Sequence, residues 1–535
     1  MTLSPVDKRF LCGAALPHLS ASERILFEQW GCGPSVQPAY ATVHHAIEAQ
    51  ARRAPQATAA ICAGQRISYE QLNRQANRLA VHLLERGVKR GDTVGLFVER
   101  SIAMLVGLLA VLKVGAAYVP QDARIVPTLQ LGQVLEALSS PLVLTLSHLL
   151  ERLPTDAVPR SLCLDTFLAQ MPWVAEESEQ VVAMVEPDDL CFVLFTSGTT
   201  GRPNGVCVRH RNVCNILLTS PGRMGMGPGI TVGQVLNIGF DMAAWEILGC
   251  LAHGATLLIR GKDIAQTAAQ CNVLIATPSI LATLDPLQCP GLSVVAVAGE
   301  PCAQALAERW AEHCTFYNGC GPTETTIVNT LHRHVPGTLL TIGRPTPNNT
   351  VYVLDDQGRA CALGEIGEMW AGGAGVTAGY LNNPVLTQER YRPDPFLGGD
   401  AVMFRTRDLG RWTADGRLEH LGRVDDQVKV RGFRVELDAV TAALEAGAGC
   451  TRAVTLKVDE RTLVAFVSPA SADTQDCRSA CHQRLAYYCV PKSIYALEAF
   501  PMTARGKIDK AALLRLAEEY QAATPACATT ESGHD

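Results

Sequence analysis

Residues 194–206, which read LFTSGTTGRPNGV, have the composition of a phosphate-binding loop. An apolar run ends at Phe195, and three glycines and four hydroxyl residues follow within eleven positions. Glycines allow backbone N–H groups to converge on an anion, and Ser and Thr hydroxyls add neutral donors. The pattern predicts phosphate binding. Ordinary Gly- and Thr-rich surface loops share it, and the Gly-Lys-Ser/Thr of a Walker loop is absent.

Alternating apolar segments must position this loop. Between residues 41 and 420, strand-like runs alternate with helix-length segments, which predicts an α/β fold with mostly parallel sheets. The clearest are a helix at Ile102–Leu112 and strands at Asp92–Val98, Ala116–Val119, Leu142–Thr145 and Leu190–Phe195. Between Thr350 and Leu421, short alternating strands separated by turns predict a small antiparallel or β-barrel-like unit.

The chain changes character again beyond Asp425. Strands at Ala453–Val458 and Leu463–Val467 and helices at Ala439–Ala446 and Lys510–Tyr520 predict a separate small α+β domain. The predicted organisation is a segment at 1–40 that precedes the alternation, a large N-terminal α/β domain at 41–424, a small C-terminal α+β domain at 425–520, and a tail at 521–535. The tail is rich in Ala, Thr and Ser, and we expect it to be disordered.

Composition excludes several classes of function. The 535 residues carry 46 Lys and Arg against 52 Asp and Glu, so the net charge is −6 and gives no electrostatic reason to expect a nucleic-acid or membrane partner. The longest apolar run, Ile102–Leu112, is too short to span a bilayer. The 19 cysteines are scattered among apolar neighbours, which is typical of reduced thiols, and the N-terminus does not resemble a secretory signal. A cytoplasmic location is expected.

Nine motifs occur in one order over nearly the whole chain. They are Ile67–Leu72 (ISYEQL), Leu112–Pro120 (LKVGAAYVP), Thr196–Gly205, Phe240–Glu246 (FDMAAWE), Asn318–Thr326 (NGCGPTETT), Gly367-Glu368 with Gly379–Leu381, Arg405–Leu409 (RTRDL), Gly422–Gly432 (GRVDDQVKVRG) and Pro501–Lys507 (PMTARGK). In this order they resemble the adenylation domains of nonribosomal peptide synthetases. These belong to the wider adenylate-forming superfamily of acyl- and aryl-CoA ligases and luciferases.

The resemblance implies an ATP-dependent reaction. A carboxylate attacks the α-phosphorus of ATP to give an acyl-adenylate and pyrophosphate, and the acyl group then passes to a thiol. Such a reaction needs positioning and electrostatic stabilisation from the protein. The family positions that contact the nucleotide correspond here to Thr196, Ser197, Gly198, Thr199, Thr200, Gly201, Asn318, Gly319, Asp408, His420 and Arg423.

Catalytic roles are implied for five residues. Thr323 and Glu324 match positions near the α-phosphate, and Glu324 would hold Mg²⁺, for which a carboxylate is a suitable hard ligand. Arg423 matches a cation near the ribose and phosphates, and Lys507 matches a mobile lysine that reaches the substrate carboxylate. Lys429 would belong to a second face used for thiol transfer.

The resemblance also implies that the small domain is hinged to the large one and moves. Asp425 matches the pivot about which it would rotate between the two half-reactions.

Asp241 matches the family carboxylate that pairs with the α-ammonium of an amino acid. A desolvated carboxylate needs a cation, so the substrate should carry an amine, although a simple helix N-cap is the alternative for this residue. The remaining pocket positions project onto Met242, Trp245, Ile275, Ala296, Ala298, Gly319, Ile327 and Val328. None is charged, so a polar side chain would be rejected by its desolvation cost. We expect an apolar amino acid, similar to Leu, Phe or Trp.

Four positions depart from the family pattern. Asn204 replaces the usual lysine of the phosphate loop, Cys320 replaces a tyrosine, and His420 stands where an aromatic ring is common. Arg407 replaces the glycine before Asp408 and could partly offset the charge lost at Asn204. We expect a raised apparent KM for ATP with activity retained.

The chain ends soon after Lys507 without a Gly-Gly-x-Ser carrier segment, and Leu19–Arg24 together with Trp30 resemble the linker that precedes such domains. These features predict a free-standing enzyme that loads the phosphopantetheine thiol of a carrier protein in trans. One alternative is an acyl- or aryl-CoA ligase, against which Asp241 counts. Another is a non-catalytic descendant that binds an amino acid or a synthetase partner, which the changes at Asn204 and Cys320 motivate.

Overall fold

In a computed structural model, the chain is described at residues 20, 28–140, 142–170, 184–196, 203–425, 427–502 and 508–523. It divides into two units. The first comprises Met1–Arg124, Val134–Phe195 and Asn204–Asp425, and the second comprises Ile125–Gln133, Thr196–Pro203 and Asp426–Asp535. The predicted hinge residue, Asp425, is thus the last residue of the first unit.

The strands are β1 (Thr58–Cys62), β2 (Gln65–Ser68), β3 (Thr93–Val98), β4 (Ala117–Asp122), β5 (Val143–Thr145), β6 (Ser161–Cys163), β7 (Leu190–Thr196), β8 (Asn204–Arg209), β9 (Thr231–Gln234), β10 (Thr256–Ile259), β11 (Val273–Ala276), β12 (Val294–Val297), β13 (Thr315–Cys320), β14 (Thr330–Arg333), β15 (Arg344–Pro345), β16 (Asn349–Leu354), β17 (Gly367–Gly373), β18 (Tyr391–Pro393), β19 (Val402–Trp412), β20 (Leu418–Arg423), β21 (Gln427–Val430), β22 (Phe433–Glu436), β23 (Arg452–Asp459), β24 (Thr462–Ser468) and β25 (Ser493–Ala496).

The α-helices are α1 (Val43–Arg53), α2 (Tyr69–Glu85), α3 (Ile102–Lys113), α4 (Thr128–Glu136), α5 (Leu164–Ala169), α6 (His210–Leu217), α7 (Asp241–Ala244), α8 (Cys250–Ala252), α9 (Ile264–Ala268), α10 (Pro278–Leu281), α11 (Gln304–Ala311), α12 (Pro384–Arg390), α13 (Leu437–Leu444), α14 (Thr474–Arg484) and α15 (Lys510–Ala523). Short 3₁₀ helices lie at Ser147–Arg152, Val158–Arg160, Pro286–Gln288, Thr323–Thr325 and Tyr487–Cys489, and a π-helical turn lies at Trp245–Gly249.

Two sheets with parallel cores confirm the predicted α/β class. Six strands follow the order β6-β5-β3-β4-β7-β8, and nine follow the order β15-β14-β13-β12-β11-β9-β10-β1-β2. The pairs from β1 through β10, β9, β11 and β12 to β13 are parallel, whereas β2, β14 and β15 are antiparallel additions at the two ends. The carboxyl ends of parallel strands meet at one edge, where α/β proteins commonly bind ligands.

Helix α3 shows why the apolar run beginning at Ile102 is not a membrane span. The Ser101 side chain caps its N-terminus by accepting the N–H of Met104, and Lys113 ends it. Residues Met104–Lys113 are all buried, as expected for a helix that is apolar on every side within a protein core. None of the helices in the described ranges has the length and apolarity needed to cross a bilayer.

The third sheet of the first unit is antiparallel, as predicted for residues 350–421. Its order is β16-β17-β19-β18, with β20 also paired to β19. Residues 31–34 extend the β16 edge, because Gly33 N–H donates to Asn349 and Val351 N–H donates to Gly31. The nearby Trp30 ring lies 6.2 Å from that of Trp412.

The second unit has its own core and two small sheets. Strands β21 and β22 form an antiparallel hairpin, while β23 pairs antiparallel and β25 pairs parallel with β24. Helices α13 and α14 contribute Val440, Leu444, Cys477 and Cys481 to a buried apolar cluster with strand residues such as Val467. The mixture of helices and strands matches the α+β class predicted for this region.

Candidate active site

Strands β19 and β20 bring a carboxylate and an arginine together. Asp408 and Arg423 are paired across the two strands, and Arg423 Nη1 donates to Asp408 Oδ1 at 2.7 Å. His420 Nε2 lies 3.3 Å from the same oxygen, and its Nδ1 accepts the N–H of Gly422. In the neutral ring the proton is therefore on Nε2, so the histidine donates to Asp408. The predicted residues Asp408, His420 and Arg423 form one contiguous group.

Asp425 extends this group toward the end of the first unit. Arg423 Nε and Nη2 donate to the two oxygens of Asp425 at 2.8 and 3.1 Å, and Arg407 Nη1 lies 3.6 Å from Oδ2. Burial alone would raise the pKa of Asp425, but the hydrogen bonds and charge of Arg423 and the charges of Arg407 and Arg390 lower it. We call Arg407, Asp408, His420, Arg423 and Asp425 the Asp408 cluster.

Arg407 occupies a backbone conformation that suits glycine. Its φ is +62°, in the left-handed region that costs a residue with a Cβ roughly 1–2 kcal/mol. Its guanidinium forms ion pairs with Glu389 at 2.9 Å and with Asp425. Arg407 thus stands where the family has glycine, and it pairs with the carboxylates of Glu389 and Asp425.

A close backbone approach shapes the turn that carries Thr323 and Glu324. A Cβ on Gly321 would lie 2.7 Å from Val328 Cα, so this position requires glycine. Thr326 and Ile327, which follow in the turn, have φ values of +60° and +72°. Such β-branched outliers cost about 1–3 kcal/mol each and are concentrated at functional sites.

Glu324 is fully buried and is oriented by a tyrosine. Tyr380 Oη donates to Glu324 Oε1 at 2.7 Å, and the backbone carbonyl of Glu324 accepts the N–H of Thr377. Tyr391, whose ring lies 5.7 Å from that of Tyr380, bonds to Thr377 through its own hydroxyl. Burial and the nearby Glu324 charge raise the pKa of Tyr391.

The residues around Glu324 fit a magnesium ion of the type that nucleotide-binding enzymes use. Magnesium is commonly held by one or two carboxylates together with substrate phosphates rather than by an all-protein cage. Glu324 provides one carboxylate and Thr323 a neighbouring hydroxyl, while no cluster of three or more His, Cys, Asp or Glu ligands occurs in the described residues. Bound there, the ion would neutralise phosphate charge.

Asp241 lies in the first turn of α7 and is 9% exposed. The N-cap of this helix is Phe240, which makes no side-chain cap bond, so Asp241 is not the N-cap. Trp245 begins the π-helical turn, and its indole Nε1 donates to the carbonyl of Gly222 at 2.6 Å. The one polar donor in the predicted pocket wall is therefore already used within the protein.

The other predicted pocket residues lie on neighbouring strands and one loop. Ile275 of β11 is paired with Ala296 of β12, near the carboxyl ends of both strands, and Ala298 directly follows β12. A Cβ on Gly319 of β13 would lie 2.9 Å from Val328 Cγ1, which brings those two residues into contact. The predicted apolar positions are all buried, namely Met242, Trp245, Ile275, Ala296, Ala298, Gly319, Ile327 and Val328.

Three residues near these elements make structural contacts. Asn318 Nδ2 donates to the carbonyl of Thr341, Asn204 Oδ1 accepts from Asn383 Nδ2 at 3.5 Å, and Cys320 packs against a buried apolar cluster of the third sheet. The amide of Asn318 thus already has one protein partner.

Several predicted site residues fall elsewhere. Ser197, Gly198, Thr199, Thr200, Gly201 and Lys507 lie outside the described residues. Thr196, at the end of β7, and Lys429, in β21, belong to the second unit. The roles predicted for these residues remain predictions.

Two residues of the site, Tyr380 and Glu389, are not among those predicted from the sequence. Tyr380 belongs to the Gly379–Leu381 motif, so its position in the motif order was the available signal. Glu389 carries no motif signal, because its contact with Arg407 depends on how α12 packs beside β19.

Comparison with known proteins gives a consistent assignment. The family model described as AMP-binding enzyme matches residues 47–381. The chain is 45% identical over 507 residues to adenylate-forming reductase 03009 of Coprinopsis cinerea, covering 94% of this chain and 49% of that protein. It is 34% identical to tyrocidine synthase 2 of Brevibacillus parabrevis, covering 88% of this chain and 13% of that one. The chain thus spans about half the length of the first of these relatives and a much smaller share of the second.

A solved structure agrees with this assignment. PA1221, described as an NRPS protein containing adenylation and PCP domains and bound to a vinylsulfonamide inhibitor, superposes with a TM-score of 0.79 at 25% identity. The match covers 92% of this chain and 86% of that one. This chain therefore belongs to the family of AMP-binding enzymes and has the fold of an adenylation domain.

Proposed function

We propose that this adenylate-forming enzyme activates an apolar amino acid, similar to Leu, Phe or Trp, as an aminoacyl-adenylate with release of pyrophosphate. The observation that carries the proposal is a carboxylate, Asp241, 9% exposed on a helix whose neighbouring predicted wall is apolar. Burial of a carboxylate favours a cationic partner, and the α-ammonium of an amino acid supplies one.

The wall residues support an apolar side chain. Ile275, Ala296 and Ala298 offer no hydrogen-bonding group, and the Trp245 indole is bonded to Gly222. A polar substrate side chain would lose its water without gaining a partner. Small residues at Ala296 and Ala298 leave room for a ring, so Leu, Phe and Trp are all allowed.

The Asp408 cluster and Glu324 supply the nucleotide side of the proposal. Asp408 would accept the ribose hydroxyls, Arg423 would stabilise charge near the phosphates, and Thr323 and Glu324 would place Mg²⁺ on them. Lys507 would reach the substrate carboxylate, Lys429 would serve thiol transfer, and Asp425 would be the hinge.

The phosphate loop, which contains Thr196 and residues 197–201, would hold the pyrophosphate part of ATP. Asn318 and Gly319 would also contact the nucleotide.

ATP–pyrophosphate exchange tests the substrate class. We expect exchange with Leu, Phe or Trp, and none with charged amino acids. Asp241→Asn should abolish the preference for Phe over 3-phenylpropanoate, its amine-free counterpart, because the neutral amide no longer attracts the ammonium. Asp263→Asn is the matched control, since Asp263 is a true N-cap that accepts the N–H of Ala265. Exchange of the wild type only with amine-free acids would favour a CoA ligase, and no exchange at all would favour a non-catalytic protein.

The aminoacyl group would then pass to the phosphopantetheine thiol of a carrier protein. PA1221 combines adenylation and PCP domains, which supports a carrier as the partner. We propose transfer in trans, and it is tested by incubating the enzyme with a separate carrier protein, ATP and radiolabelled amino acid. Acylation of the carrier supports this route.

A second candidate fate of the acyl group is reduction. Two relatives at 45% identity are named adenylate-forming reductases, and this chain covers 49% of each. Adding NADPH to the carrier assay tests whether this chain carries out the reduction itself. Hydride transfer from NADPH to the thioester would give an aldehyde, NADP⁺ and the free carrier thiol, whereas a thioester that persists shows that this chain stops at the loaded carrier.

A further inference from the structure

Two thiols meet at the edge of the second unit's core. Cys477 is fully buried in α14, and Cys450 is partly exposed in the loop between α13 and β23. Cys450 packs against the buried apolar cluster that contains Cys477. Its N–H donates to the carbonyl of Gly447, the residue that lies against the Cys477 sulfur, and its S–H points toward the carbonyl of Arg452 at 3.5 Å. Nothing in the proposed reaction uses either residue.

The backbone holds this pair in place. A Cβ on Gly447 would lie 2.6 Å from Cys477 Cα and 2.7 Å from its sulfur, so the loop is pressed directly against α14. Ala448 N–H donates to Asp476 Oδ2 at 2.6 Å, and its carbonyl accepts the N–H of Asp473. Two hydrogen bonds thus join the loop to the start of the helix, just before the cysteine of each segment.

The two thiols differ in reactivity. Burial, the Cys450 thiol and the carboxylates of Asp476 and Asp473 raise the pKa of Cys477 to about 11. Cys477 is therefore protonated and shielded, whereas Cys450 is accessible to a reagent in solution. The neighbouring buried thiol, Cys481, is directed instead to the carbonyl of Val440.

We propose that Cys450 and Cys477 are a modification site at which a small-molecule disulfide, such as glutathione disulfide, forms an intramolecular disulfide. The Cys450 thiolate attacks the reagent, which gives a mixed disulfide and releases one thiol. Cys477 then gives up its proton and attacks the Cys450 sulfur, releasing the second thiol. The protein loses two electrons and two protons, and the reagent disulfide is reduced to two thiols. The new bond lies within the second unit and does not cross the boundary after Asp425.

Peptide mapping of the full chain after incubation with glutathione disulfide tests this site. We expect a linked pair of peptides containing Cys450 and Cys477, with the mass of two hydrogen atoms lost. The link should close a long loop and raise the unfolding midpoint of the second unit by about 5 °C or more, and dithiothreitol should reverse both effects.

Cys450→Ser should abolish the link, and it disturbs the core less than a change at buried Cys477. Cys302→Ser, which removes another partly buried thiol in the first unit, should leave the link unchanged. A glutathione adduct that stays on Cys450, a link between other cysteines, or no modification of the pair would each overturn the proposal. Because the readout is a mass, this result is independent of whether the enzyme activates an amino acid.

Discussion

The carboxylates of the Asp408 cluster and of Asp241 in helix α7 lie in different surroundings. Asp408 and Asp425 are surrounded by Arg423, Arg407 and His420 at hydrogen-bond or ion-pair distances. Asp241 stands at the start of a short helix whose following residues, Met242 and Trp245, are buried and apolar. Changes of charge in the cluster should therefore alter the use of ATP, whereas changes of shape beside the helix and its neighbouring strands should alter the choice of amino acid.

The largest expected effect is in the cluster. Asp408→Asn replaces the charged acceptor of Arg423 and of the proposed ribose contact by a neutral amide. We expect kcat/KM for ATP in pyrophosphate exchange to fall about 100-fold, which corresponds to about 2.7 kcal/mol. The loss should be the same for every accepted amino acid. Asp355→Asn, which changes a partly exposed carboxylate paired with Arg359, is the control. If the loss of kcat/KM differed between amino acids, the Asp408 cluster would also affect the choice of amino acid, and the proposed difference between the two regions would be wrong.

The next effect concerns the orientation of Glu324. Tyr380→Phe removes the hydroxyl that donates to Glu324 Oε1, which should raise the Mg²⁺ concentration for half-maximal exchange about tenfold, because a hydrogen bond to a charged group contributes roughly 1.5–3 kcal/mol. Tyr391→Phe is a matched control, since its hydroxyl bonds to Thr377 instead. That variant should lose stability but keep its Mg²⁺ requirement. If both variants required the same Mg²⁺ concentration for half-maximal exchange, Tyr380 would have no role in orienting Glu324 for the metal.

A smaller effect is expected where this chain lacks the family lysine. Asn204→Lys adds a cation beside the proposed phosphate loop and should lower the apparent KM for ATP about fivefold, the change expected of a partly exposed ion pair. The neutral Asn204→Gln separates charge from loss of the Asn383 contact. An unchanged KM in the lysine variant would show that the position does not bear on ATP.

A change of side-chain size tests the predicted amino-acid pocket beside helix α7. Gly319→Ala introduces a Cβ that pushes on Val328, so it should shift preference from Trp and Phe toward Leu by roughly tenfold, within the 1–3 kcal/mol expected per methylene. Gly261→Ala adds the same group in open space and should change nothing. If KM for ATP moved and the amino-acid preference did not, Gly319 would act only through the nucleotide contact also proposed for it, and its role in the amino-acid pocket would be wrong.

The smallest effect concerns acid stability. The pKa of Asp425 is lowered in the fold from its ordinary value of 3.8. Its stabilising contribution is therefore complete above that ordinary value and is lost as pH falls through the lowered one. Between about pH 5 and about pH 2, the wild type should lose more of its unfolding free energy than Asp425→Asn does. Asp400→Asn, at an exposed site, should follow the wild type.

The predicted elements were those that depend on local sequence. The run at Asp92–Val98 is strand β3, and the helix at Ile102–Leu112 is α3 with one further residue, because an apolar run with a capping serine specifies a buried helix without help from distant residues. The motif order predicted the adenylation fold for the same reason, since each motif is read within a few residues.

Contacts between distant residues could not be predicted. The pairing of Arg407 with Glu389 requires the packing of α12 beside β19, and the left-handed backbone of Arg407 is favoured by nothing in its own residue type. The π-helical turn after Ala244 likewise depends on tertiary packing around Trp245. The motifs therefore predict which residues belong to the site, whereas the contacts that orient those residues depend on tertiary packing.

The N-terminal segment has a practical consequence. Residues 31–34 cover the outer edge of β16, whose backbone groups would otherwise be unpaired. An uncovered edge strand is a template for pairing with another molecule. A shortened protein that began after residue 36 would expose this edge and the buried face of Trp412, so it should aggregate where the longer one stays dispersed.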